Sequence, residues 1–65
     1  MTDLFPPSID EQIACVEREI RLREFVYPRR VRDKRLTQAK ADRELETMRA
    51  IKATLEGLKG NGRND

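Results

Sequence analysis

Hydrophobic residues recur at helical spacing in two stretches of this chain. In the first stretch the spacings are four, three, four and seven, which at about 100° per residue gives one narrow face. In the second stretch the mean spacing is about 3.5 residues, the period of a left-handed coiled coil. The pattern predicts an all-α fold, an antiparallel two-helix hairpin whose seam is formed by Ile9, Ile13, Val16, Ile20 and Tyr27 on one helix and by Ala41, Leu45, Met48, Ile51, Leu55 and Leu58 on the other.

The start of the first helix is marked by a capping box. Ser8 is followed three positions later by Glu11, so each side chain can satisfy the other residue's amide. The two prolines before Ser8 favour an irregular N-terminal arm over residues 1–7. Pro28 leaves two alternatives open: the helix of about residues 9–27 ends there, or it kinks and continues to Arg32 or Asp33.

The second helix is predicted over about residues 38–58, with Thr37 as its N-cap. The segment that reverses the chain contains no glycine, so we expect a non-glycine residue, Lys34, to adopt a positive φ. Gly57, Gly60 and Gly62 are predicted to end the helix and to leave residues 59–65 as a flexible tail. The hairpin domain therefore spans residues 8–58.

The size of the chain limits how stable one hairpin can be. It has 65 residues, of which 40% are charged, and two helices can bury only one seam. A domain of this size is marginal alone and usually needs a staple, a metal or a second copy. We therefore predict that two hairpins pair into a dimeric four-helix bundle.

The first helix carries a second apolar stripe and an arginine within its seam, and both provide candidate contact residues. Cys15, Leu22 and Val26 follow each other at spacings of seven and four. Either Phe5 and the N-terminal arm cover this stripe, or it is a self-association surface for another chain. Arg23 occupies an expected apolar position; either its stem packs while its head reaches solvent, or it forms a buried salt bridge to Glu44 or Glu46.

Composition argues against several classes of function. The chain has no histidine and a single cysteine, so neither a Cys/His zinc site nor a Ser-His-Asp triad can be built within one copy. A two-helix chain also lacks a cleft that would enclose a substrate. We predict no enzymatic activity, no cofactor and no metal. Neither a run of about 20 apolar residues nor a signal-peptide pattern occurs, so a cytoplasmic location without membrane attachment is expected.

The positive charge is concentrated at the joint between the two helices. Residues 28–35 carry net +4, whereas residues 1–27 carry net −3. One interpretation is a solvated turn that also contacts a protein partner, with its cations offsetting the helix dipole. The alternative is a nucleic-acid-binding accessory protein with Tyr27 stacked on a base and phosphates held by Arg29, Arg30, Arg32, Lys34 and Arg35.

The joint also carries a resemblance to a group of known proteins. The run Tyr27-Pro28-Arg29-Arg30-Val31, followed by residues 36–42 and 48–51, resembles short helical-hairpin proteins encoded by bacteriophages and prophages. The likeness covers about residues 9–58; members commonly carry a glycine in the reversal, where this chain has Lys34. It implies a small phage or prophage accessory protein and brings no biochemical activity. The function predicted is a homodimeric helical module that binds a protein partner.

Overall fold

The chain folds into two antiparallel α-helices. The computed structural model describes residues 5–63, together with the side-chain surroundings of residues 5–60. Helix α1 is Ile9–Arg32 and helix α2 is Gln38–Arg63, and the two pack against each other. No strand occurs among the described residues. The predicted all-α hairpin is confirmed.

Helix α1 begins with the predicted capping box. The Glu11 amide donates to Ser8 Oγ at 3.1 Å, and the Ser8 amide donates to Glu11 Oε1 at 2.8 Å. Both amides would otherwise lack a partner at the helix end. Residues 5–7 precede the helix without regular structure, and residues 1–4 of the predicted arm lie outside the described part of the chain.

Helix α1 continues through Pro28 and ends at Arg32, so the alternative that it stops at Tyr27 is wrong. Proline removes the amide that would bond to the Glu24 carbonyl and costs roughly 3 kcal/mol in a helix interior. The extra turn offsets part of this cost because it brings Val31 to the inner face, where it is half-buried four residues after Tyr27. Val31 was not among the predicted seam residues, although its spacing from Tyr27 marks it as one.

The chain reverses through a Schellman motif, a common helix C-cap. The Arg35 amide donates to the Arg30 carbonyl at 2.9 Å, and the Lys34 amide donates to the Val31 carbonyl at 3.0 Å. Lys34 has φ 62°, the only positive φ in the described chain. The predicted left-handed residue is therefore correct, in a position that usually holds glycine.

Helix α2 begins where predicted and ends later. The Lys40 amide donates to Thr37 Oγ1 at 3.1 Å, which confirms Thr37 as the N-cap. The helix runs on to Arg63, past the predicted end near Leu58, so residues 59–63 are helical; residues 64–65 of the predicted tail lie outside the described part. Gly57 and Gly60 have helical rather than left-handed backbones, since no described glycine has a positive φ. An interior glycine costs about 1 kcal/mol, too little to stop a cooperative helix.

The hairpin has almost no interior. Among the described residues only Ile20 and Ala41 are buried, at 8% and 2% exposure. The smallest dimension of the molecule is 13 Å, about one helix diameter, whereas domains normally consist of at least two packed layers. The accessible surface of 5585 Å² exceeds by about 1,300 Å² the area typical of a compact monomer of 7.6 kDa. One hairpin is therefore a single layer with surplus surface.

Candidate interaction surface

Ion pairs between the helices close one side of the seam. Arg49 Nη2 lies 2.6 Å from Glu24 Oε2, and Lys52 Nζ lies 3.2 Å from Glu17 Oε2. A third pair joins Lys59 to Asp10 at 2.5 Å. At about 100° per residue, the three acids lie about 40–80° from Ile20 around the axis of α1. Their three partners lie up to about 80° from Ala41 around the axis of α2, in the same rotational direction, so all six residues are on one side of the seam. We call this the ion-pair side.

The opposite side of the seam, here the open side, carries exposed apolar residues from both helices. Ile51 and Leu58 of α2 are 43% and 53% exposed and are turned about 80–100° from Ala41, away from the ion pairs. Val26 of α1 is half-buried and turned about 120° from Ile20 in the same sense. No ion pair between helices lies on this side in the described residues. The open side is defined by Val26, Ile51 and Leu58, with Leu22 and Cys15 at its outer edge.

The exposure of Ile51 and Leu58 differs from the sequence prediction, which placed both in the seam. The apolar positions of α2 repeat on average at slightly less than 3.6 residues, so along a straight helix the row drifts to one side. Ala41, at the start of the row, faces α1, whereas Leu58, at its end, has turned onto the open side. Lys52 and Lys59 occupy the inward positions instead and bind acids of α1.

Phe5 does not cover the second stripe. Phe5 is 79% exposed, so the expectation that it folds back over Cys15, Leu22 and Val26 is wrong. Leu22 remains 53% exposed and Cys15 is an exposed free thiol. The interpretation of this stripe as a self-association surface for another chain stays a prediction.

Arg23 lies beside a shallow hollow on the open side. Its guanidinium donates to the Glu19 carboxylate and, at 3.3 Å, to the Glu19 carbonyl, so the expected partners Glu44 and Glu46 are wrong. The Glu19 hydrogen bond is the largest reason that the pKa of Arg23 is raised, and burial acts against it. Arg23 Nε is buried without a partner. The hollow has a volume of about 160 Å³ and is lined by Glu19, Leu22, Arg23, Val26, Tyr27 and Arg30.

The basic joint is exposed, but Tyr27 is not part of its outer surface. Tyr27 is half-buried and lines the space between the helices together with Ala41 and Leu45. The Arg29 guanidinium lies 5.5 Å from the centre of the Phe25 ring, a cation–π contact. Successive residues point about 100° apart in the last turn of α1. The structure therefore surrounds the end of the hairpin with the cations Arg29, Arg30, Arg32, Lys34 and Arg35, all exposed.

Comparison with known proteins identifies no family for this chain. The chain matches no family model, no curated protein and no solved structure. Neither of the described helices is long and apolar enough to cross a membrane. Within the described residues, no group of three or more potential metal ligands comes together.

Proposed function

We propose that this protein is a non-enzymatic helical protein–protein interaction module whose first partner is a second copy of itself. Two hairpins pair through their open sides and form a four-helix bundle. The observation that carries the proposal is the division of charge and apolar surface between the two sides. Ion pairs already satisfy one side, whereas the other presents Ile51 and Leu58 to solvent next to the half-buried Val26.

The surplus surface of the hairpin supports a second copy as the occupant. A stable protein interface hides about 800 Å² on each partner. The hairpin exposes about 1,300 Å² more than a compact monomer of its mass, so pairing hides enough area without any further folding. Pairing also gives the fold a second layer and adds the half-buried residues Val16, Met48 and Leu55 to a common core.

The wider role follows from the character of the joint. The Tyr-Pro-Arg sequence supports an accessory protein of bacteriophage or prophage origin that acts in the cytoplasm. In a four-helix bundle the outer edge residues Cys15 and Leu22 stay near the surface, where a further protein partner can contact them. The joints lie at the ends of the helices, and their cations other than Arg30, which lines the hollow on the open side, remain available as well.

Sedimentation velocity with two matched variants tests the self-association. Ile51→Glu places a charge on the open side, whereas Ala53→Glu adds the same charge at an exposed position turned away from it. Because the interface cannot solvate the new carboxylate, we expect Ile51→Glu to weaken dimerisation at least about tenfold. Ala53→Glu should sediment like the natural chain.

Two results would contradict the proposal. The first is a natural chain that remains a well-folded monomer at every concentration. The second is an equal loss of association in the two variants. Circular dichroism recorded on each sample separates loss of pairing from loss of helix.

A second candidate function, nucleic-acid binding, is favoured by the exposure of all five joint cations. Of the five, only Arg32 has an ion pair with a described residue, the neighbouring Asp33 at 3.6 Å. A salt titration of binding to single- and double-stranded DNA tests this alternative, since phosphate contacts give a slope of roughly one log unit per contact. Arg29→Ala with Arg30→Ala should reduce binding. The control variant, Arg18→Ala with Arg21→Ala, should have little effect. It also removes two arginines of α1, but they lie before the joint. No binding at low salt removes this candidate.

A further inference from the structure

We infer that the two hairpins pair with their turns at opposite ends of the bundle. This arrangement deepens the proposed function and rests on the self-association through the open side. A closed two-fold dimer of open sides has two simple forms. In one form, both turns lie at the same end of the bundle. In the other, the turn of one copy lies beside the open end of its partner, which is the end of the hairpin where α1 begins and α2 ends.

The charge of the hairpin is divided along its length. The cross-helix pair between Glu17 and Lys52 and the pair between Glu24 and Arg49 fix which levels of the two helices are adjacent. The half nearest the turn, residues 21–51, holds ten cations and five acids, net +5. The opposite half, residues 8–20 and 52–60, holds three cations and five acids, net −2. A single hairpin is therefore positive at the turn and negative at the open end.

This polarity favours the opposite-end form. Placing both turns together would bring two joints, each with net +4 over residues 28–35, to one end of the bundle. Neighbouring helices lie about 8–10 Å apart, roughly one Debye length at physiological salt, so the two joints would repel each other, and more strongly at low salt. In the opposite-end form each positive half covers a negative half, and the charges attract across the whole interface.

The two forms predict different distances between equivalent points. With the turns at opposite ends, two turns are separated by nearly the length of the molecule, whose longest extent is 47 Å. With the turns at the same end, they lie within about 20 Å, or two helix spacings. The distance from the turn of one copy to the open end of the other is short when the turns are at opposite ends and long when they are at the same end.

Energy transfer between labelled copies measures this order directly. An azide-bearing amino acid at position 35, in the turn, or at position 60, near the open end, accepts a donor or an acceptor by cycloaddition and leaves Cys15 unmodified. Arg35 is exposed, and an added side chain at Gly60 meets no atom within 4 Å. Three mixtures are compared: turn with turn, open end with open end, and turn with open end.

We expect strong transfer only in the mixture of turn-labelled with open-end-labelled chains. Strong transfer within the turn–turn and open–open mixtures, with little in the mixed sample, would overturn the inference and leave the self-association intact. Equal transfer in all three would also overturn it, because it would mean that the pairing has no fixed direction. No transfer in any mixture would overturn the proposed dimer itself.

The sign of the salt dependence provides an independent measurement. Screening weakens attraction between opposite charges and relieves repulsion between like charges. In the opposite-end form the dimer association constant should fall several-fold from low to high salt. An association constant that rises with salt would indicate that the turns lie together, contrary to the inference.

Discussion

Replacing Lys34 by glycine should stabilise the hairpin, because the backbone at this position is left-handed. Lys34 has φ 62° and occupies the C′ position of the Schellman motif. A left-handed conformation costs an L-residue about 1–2 kcal/mol, and glycine avoids this cost. Glycine loses about 0.5–1 kcal/mol more chain entropy on folding than alanine. The net gain in the free energy of unfolding should be about 0.5–1 kcal/mol.

Urea unfolding followed by circular dichroism measures this gain. For a chain this small the slope is about 1 kcal/mol per molar urea, so Lys34→Gly should raise the midpoint by about 0.5–1 M. Lys34→Ala removes the same charge but keeps the left-handed cost, and it should show no comparable gain. Asp33→Gly is a second control, because Asp33 has φ −84° and gains nothing from glycine. A Lys34→Gly variant no more stable than Lys34→Ala would refute the reasoning. All samples need the same protein concentration, since association contributes to stability.

Three further substitutions test the remaining features of the helices. Gly57→Ala should stabilise by about 1 kcal/mol, because the added methyl meets no atom within 4 Å and the residue is inside α2; a loss of stability would mean that the helix ends before it. Thr37→Ala should cost about 1 kcal/mol in the same urea assay by removing the N-cap of α2, whereas Thr37→Ser should restore it. Glu24→Gln should cost less than about 1 kcal/mol and only at low salt, since its partner Arg49 is half-exposed; an equal loss at high salt would contradict a surface ion pair.

The features that the sequence predicted correctly are decided within a few residues. The capping box needs only Ser8 and Glu11, and the N-cap of α2 needs only Thr37 and the amide of Lys40. The left-handed residue follows from a short reversal without glycine. Such features depend on local backbone geometry, so their prediction does not require the position of the other helix.

The features that were missed depend on contacts between helices or on cooperativity. Gly57 is unfavourable in a helix, yet it lies inside α2, and the sequence left open whether α1 continues through Pro28; in both cases packing and chain cooperativity outweigh local preference. The partner of Arg23 was wrong for a related reason: an acid four residues away on the same helix is always within reach, whereas an acid on α2 requires the correct register. The spacing of apolar residues identified the apolar face of α2 correctly. It did not show which part of that face contacts α1.

If the proposed pairing forms, the folding of this hairpin and its association are coupled. Most helical stability in proteins comes from packing rather than from propensity, and among the described residues only Ile20 and Ala41 are buried. The exposed ion pairs add at most about 1 kcal/mol each. If pairing through the open side supplies the missing core, the unfolding midpoint must rise with protein concentration. Substitutions on the open side and in the turn would then both change that midpoint, but its dependence on concentration would disappear only in an open-side variant that no longer pairs.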